Sequence, residues 1–302
     1  MKNKKHIINF VSILIAIVSV IYFIYKCYNN KNEIAEGLSI LKDKYWILII
    51  EILLMFLNIT LETCRWMVID YKRSGKKSFK DNFFTITESI LLSISTPLGI
   101  GEHIGKSRNS NNIKSSFLTS IIGSFIQTSV IILMGFIGFL FINYQYSNYV
   151  FAHTFITLLI LSITAIIIYH FKKKTIRRIL NEFSIKKISI IYFINISRYI
   201  IFAYQMYLMQ TLSIDIFNIK IVSLILIYYL IITIIPSSGL ADIGIRGSVA
   251  IAVIGDNINS WSGIAAILIW LINKIIPSII GFQSIIFSVI KSSKNHLDSG
   301  IR

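Results

Sequence analysis

Two short stretches carry the side chains best placed to do chemistry. One is Thr96-Pro97-Leu98-Gly99-Ile100-Gly101-Glu102-His103-Ile104-Gly105-Lys106. The other is Ile235-Pro236-Ser237-Ser238-Gly239-Leu240-Ala241-Asp242-Ile243-Gly244-Ile245-Arg246. In each, a proline closes an apolar run, and glycine, an acid, a second glycine and a base follow. The acid and base are four residues apart, Glu102 to Lys106 and Asp242 to Arg246. On a helix that spacing puts them on one face, with the acid N-terminal, the order that favours an ion pair. Such a pair locks its own segment, or presents a cation to a phosphate group, and the two roles are compatible. Arg65 and Arg198 stand in the apolar runs ahead of the two stretches.

Other chemistries fail on spacing. Gly101 to Ser107 looks like a phosphate-binding loop, but that loop needs four residues between its glycines. Here Gly101 and Gly105 enclose three, and Gly99 and Gly105 enclose five. The pair Gly101 and Gly105 reads instead as a small-residue contact between helices. His6, His103, His153, His170 and His296 show no metal-binding spacing, and Cys27 and Cys64 stand alone. No metal or cofactor is expected. No nucleophile elbow is present, so no catalytic residue is assigned.

The elements that must position these residues follow from composition. Of 302 residues, 55% are hydrophobic and 15% charged, with a mean hydropathy of +0.71. Ordinary globular chains carry roughly 25% charge. This excludes a soluble enzyme, a disordered chain and a coiled coil, and makes lipid the main solvent. The net charge of +16 comes from 30 basic against 14 acidic residues. The bases collect in short segments between apolar runs, which is membrane topology and not a nucleic-acid face.

The pattern predicts an all-α integral membrane protein forming one membrane domain over 1–302. Six segments cross: 7–25, 45–70, 117–142, 150–170, 188–212 and 261–290. The first, led by Lys2, Lys4 and Lys5, reads as a retained signal anchor. Two segments, 83–113 and 221–255, dip in and return, the first from the cytoplasm and the second from outside. Basic loops at 71–80 and 171–187 place those loops and both termini in the cytoplasm of a bacterial-type cell membrane. The first repeat spans 45–142 and the second 188–290, with 150–170 connecting them. Together they read as an inverted repeat, in which paired interrupted segments point to a binding site. Pro97, Gly99, Gly101, Gly105, Pro236, Gly239 and Gly244 are expected to shape the breaks.

Charges within apolar runs cost about 2.5–3.5 kcal/mol each at a helix centre. Arg65 and Asp70 lie near the cytoplasmic end, where snorkelling to water is the bland reading. Arg198 lies mid-run, and its structural role would be a pair with Glu51 or Glu62. Lys274 and Pro277 interrupt the last run.

Arg65-Trp66, Pro97-x-x-x-Gly101-Glu102, and Pro236-x-x-Gly239 leading into Gly244-Ile245-Arg246 give the chain a family resemblance. It resembles the transmembrane region of lysylphosphatidylglycerol synthases, the flippase-like membrane domain family, over about residues 7–290. The resemblance implies movement of a polar lipid headgroup between leaflets. About a dozen residues follow the last run, so the translocase half is expected without a synthase domain. Many relatives place an acid just after the arginine. This chain has Gly247 there and its acid at Asp242, which leaves the headgroup open.

The expectation is therefore a lipid translocase or lipid-binding transporter. Lys106, Arg198 and Arg246 would hold phosphate, with Glu102 and Asp242 as their partners when the site is empty or as contacts for a cationic headgroup when it is full, and Arg65 is counted among the substrate-binding residues. Its ligands would be anionic or aminoacylated phospholipids or a lipid-linked sugar. One alternative is a membrane-embedded transferase on a lipid-linked substrate, with Glu102 or Asp242 as base. The other is a non-catalytic partner of a soluble synthase or glycosyltransferase, docked through the basic loops. A homo-oligomer is left open.

Overall fold

The computed structural model describes residues 21–74, 77–96, 99–108, 110–145, 183–212, 219–235, 241–257 and 259–299. The expected crossing 150–170, most of 7–25, most of the basic loop 171–187, and Pro97, Pro236 and Gly239 lie outside the described residues.

Every regular element among the described residues is helical. In chain order they are α1 (Lys31–Asp43), α2 (Trp46–Ser74), α3 (Phe79–Ile94), α4 (Ile100–Arg108), α5 (Ile113–Gln145), α6 (Ile185–Gln210), α7 (Ile219–Ile234), α8 (Ala241–Val253), α9 (Trp261–Trp270) and α10 (Ile276–Ser299). A 3₁₀ turn, Gly255–Asn257, follows α8, and a π-helical turn, Leu271–Ile275, joins α9 to α10. Four stretches are long and apolar enough to cross a membrane: Trp46–Asp70, Ile113–Ile142, Ile185–Gln210 and Trp261–Phe287. They coincide with the expected crossings 45–70, 117–142, 188–212 and 261–290. Their outer faces leave side chains such as Leu53, Phe193 and Phe287 exposed, as an acyl environment requires.

The helices pair in a definite order. At the centre, α2 and α6 run antiparallel, with Glu51 beside Gln205 and Arg65 beside Asn195. Helices α3 and α4 fold back on each other as a hairpin. A Cβ on Gly105 would come within 2.6 Å of Ser89 Cα, and Gly101 packs against the Leu92 carbonyl. Helices α8 and α9 form a second antiparallel pair, in which Gly263 packs on Ile251 and Gly247 faces Ile267. Helix α7 packs on α5, where Gly135 and Gly138 admit Leu230 and Leu226. Helix α3 packs on α10, where Gly281 lies against the backbone of Thr87 and Glu88. Small residues do this because lipid offers helices no hydrophobic drive to associate, so close packing must supply the contact energy.

Local signals set the helix ends. Ser78 caps α3: its hydroxyl accepts from the Asp81 amide at 3.1 Å, and Asp81 accepts from the Ser78 amide at 3.2 Å. The Ser78 hydroxyl also donates to the Asp81 carboxylate at 2.7 Å, and this bond, with the one from the Ser78 amide, holds the Asp81 carboxyl below its ordinary range. Gly99 turns the chain into α4 with a φ of 64°, which suits glycine. The π turn has its own cause. Pro277 lacks the N–H that would reach the Asn273 carbonyl, and its ring presses on that carbonyl, so the helix widens just ahead of it.

The two ends of the bundle are tied separately. At one, Lys26 pairs with Asp256 at 2.7 Å, and Glu33 of α1 accepts from the Ser260 amide at 3.0 Å. At the other, Ser116 donates to Asp70 at 2.6 Å, and Phe183 packs near Trp66 and Ile69.

Candidate functional site

Helix α2 carries a polar stripe in its apolar length. Asn58, Glu62 and Arg65 follow at steps of four and three, so they share one face. Facing it, α6 presents Asn195, Arg198 and Gln205, and α5 presents Gln127. Each stripe is buried against another, since a bare polar group facing lipid costs several kcal/mol.

Glu62 is the hub. Its Oε1 accepts from Arg65 Nη2 at 2.7 Å and from Lys106 Nζ at 2.6 Å, and its Oε2 accepts from Arg198 Nη1. One carboxylate thus ties together α2, α4 and α6. Lys106 also pairs with Glu102 at 2.5 Å and lies 6.0 Å from the centre of the Trp66 ring. Arg65 donates further to Gln127 at 2.9 Å and to Asn195 at 3.1 Å, and Arg198 donates to Asn58 at 2.8 Å. Surface snorkelling is overturned for both residues at the end of α2: Arg65 and Asp70 are each 2% exposed and hydrogen-bonded within the bundle. Internal carboxylate and hydroxyl partners replace water for them. Of the two acids considered for Arg198, the partner is Glu62.

The second cluster is smaller. Arg246 Nε donates to Asp242 Oδ2 at 2.8 Å, and Trp270 Nε1 donates to the same oxygen at 2.8 Å. This ties α8 to the end of α9. Both i, i+4 pairs read from the sequence are therefore formed.

Between the clusters lies a cavity of about 320 Å³. Its walls include Glu62, Glu102, Arg198, Arg246, Asn273 and Lys274, with Tyr228, Tyr229 and Trp270 adding aromatic faces. Of the expected site residues, Glu102, Arg198 and Arg246 line it directly. Arg65 and Lys106 stand behind Glu62, and Asp242 holds Arg246 in place. The glycines take another role. Gly101 and Gly105 lie inside α4 as contacts with α3, and Gly244 lies buried inside α8. Among the described residues, Gly99 alone has the left-handed backbone of a break.

The sequence reading did not assign Glu62, Asn273 or Lys274 to the site. Glu62 was legible as part of the α2 stripe. Lys274 was legible as a cation inside an apolar run, beside a proline that opens the helix. Among the described residues, the Lys274 ammonium makes no ion pair or hydrogen bond, although its carbonyl accepts from the Ser278 hydroxyl at 2.6 Å, and it acts on Glu102 from beyond contact distance. A half-buried cation in a polar cavity, with two arginines nearby, can hold an anion such as a phosphate. No group of histidine, cysteine and carboxylate side chains able to hold a metal occurs among the described residues. No family model, curated protein or solved structure matches the chain.

Proposed function

We propose that the protein is a lipid translocase whose central cavity takes the anionic headgroup of a membrane lipid while the acyl chains stay in the bilayer. One observation carries the reading. A cavity of about 320 Å³ is lined by the cations Arg198, Arg246 and Lys274 from the second half of the chain and by the acids Glu62 and Glu102 from the first. That volume is at the low end of ligand pockets, roughly 300–1,000 Å³, which suits a headgroup and not a whole lipid. Phosphate would sit between Arg246 and Lys274, and Glu102 would meet any amine the headgroup carries.

The helix pairing supports an inverted repeat. Each interrupted segment lays its first helix on the last long helix of the other half, α3 on α10 and α7 on α5, with glycines at both contacts. The central α2–α6 pair is antiparallel, as a two-fold axis in the membrane plane requires. In this reading, 83–113 and 221–255 are re-entrant from opposite sides, and six segments cross. The basic loops set both termini in the cytoplasm of a bacterial-type cell membrane. The resemblance to the flippase-like membrane domain family fits the same picture.

The test is leaflet exchange in liposomes. Purified protein should move fluorescent phosphatidylglycerol faster than fluorescent phosphatidylcholine, relative to protein-free vesicles. Equal background rates for every lipid, with folded protein, would overturn the reading.

A further inference from the structure

Glu51 is a buried acid that the headgroup cavity does not use. It sits in α2, is 0% exposed, and neither carboxyl oxygen has a hydrogen-bond partner among the described residues. Glu62, about three turns along the same helix, has three cations. An ionised carboxylate buried without a partner is among the costliest groups a protein can hold, and a neutral acid costs far less.

Its surroundings connect it to the cavity. The Gln205 side chain of α6 lies beside it. Gln205 Nε2 donates to the Glu51 backbone carbonyl at 3.2 Å, and Gln205 Oε1 accepts from Asn273 Nδ2 at 3.0 Å. Asn273 is a cavity wall residue on the π turn, next to Lys274. Among the other titratable groups near α2, the Tyr229 hydroxyl of α7 donates to the Phe202 carbonyl at 2.8 Å. Arg198 of α6 is held by Glu62 and Asn58, Glu102 of α4 by Lys106, and Glu88 of α3 by Ser284.

We propose that Glu51 is a proton-binding site coupled to the cavity, so that occupation of the cavity by an anionic headgroup releases its proton. The coupling element is the Gln205–Asn273 pair. While the cavity is empty, Asn273 holds Gln205, and the acid keeps its proton. An occupant that draws Asn273 toward itself frees Gln205 to turn its amide to the carboxylate, which lowers the cost of the charge. Linkage is reciprocal: if the anion expels a proton, proton loss tightens the anion. The proposal rests on the headgroup reading and gives it an energy source, a proton gradient.

The probe is glycerophosphoglycerol, a soluble phosphodiester headgroup that does not titrate near neutral pH, added to the full chain in detergent. Infrared spectra should show a protonated-carboxyl band that is missing in Glu51→Gln and that falls when the probe binds wild type. Binding should tighten as pH rises, by up to about tenfold per unit for one coupled proton. Glu51→Gln should bind the probe with that dependence lost. Asn273→Ala should keep the band and lose its response. Bound probe with an unchanged Glu51 band, or no such band in wild type, would overturn the proposal and leave the cavity reading standing. No binding of the probe by wild type would sink the cavity reading, and the coupling with it.

Discussion

At the scale of single residues, the Glu62 carboxylate holds the site together. Arg65, Lys106 and Arg198 all neutralise against it, and all are buried or nearly so. Neutralising Glu62 leaves Arg65 and Arg198 without their carboxylate, while Lys106 keeps Glu102, and stranding a buried charge costs about 3–5 kcal/mol. Glu62→Gln should therefore lose roughly that much stability, read as a lowered midpoint in denaturant unfolding of the detergent-solubilised protein. A midpoint within error of wild type would contradict the hub. The pairs Glu102–Lys106 and Asp242–Arg246 could be read from the sequence because their partners are four residues apart on one helix. The Glu62 hub could not. Its partners Lys106 and Arg198 lie 44 and 136 residues away, and only packing brings them in. What the sequence did hold was the stripe Asn58, Glu62, Arg65, a helical face too polar to meet lipid.

At the scale of elements, the last long helix is a spacer with a fault placed in it. Pro277 widens the turn Leu271–Ile275, and that turn carries Asn273 and Lys274 to the cavity wall. Wide turns of this kind recur at functional sites. Pro277→Ala restores the missing N–H and lets the helix close as an ordinary α-helix, turning Lys274 away from the cavity. The variant should be at least as stable as wild type in thermal unfolding, yet exchange phosphatidylglycerol more slowly. A faster or unchanged rate would show that the turn does not place the cation. The proline was visible in the sequence, but the effect of its missing donor on Lys274 depends on which way the widened turn faces. The glycines were likewise visible and their task was not. Gly101 and Gly105 allow α4 to touch α3, a demand that comes from the neighbouring helix.

At the scale of the whole molecule, the two ends are distinguished by what they tie together. Lys26 meets Asp256 and Glu33 meets Ser260 at one end, while Asp70, Ser110 and Ser116 join at the other. In the proposed orientation the basic loop 71–80 is inside, and the end that carries Asp256 faces outside. In a background with Cys27 and Cys64 replaced by serine, Asp256→Cys should react in intact cells with a membrane-impermeant maleimide. Lys77→Cys should react only after permeabilisation. The opposite pattern would reverse the orientation. Four of the six expected crossings were legible because a run of apolar residues that long has few other uses. The cavity was not legible, because it is a space between helices far apart in the chain.

In the proposed translocation a headgroup passes through the cavity under the hold of Lys274. The most direct measurement is phosphatidylglycerol exchange in liposomes by wild type and by Lys274→Gln, with Lys77→Gln as the control for charge alone. A hydrogen bond to a charged group contributes about 1.5–3 kcal/mol, and each 1.4 kcal/mol is about tenfold in rate. Lys274→Gln should slow exchange about tenfold or more, while Lys77→Gln should match wild type. Equal exchange by wild type and Lys274→Gln would contradict it.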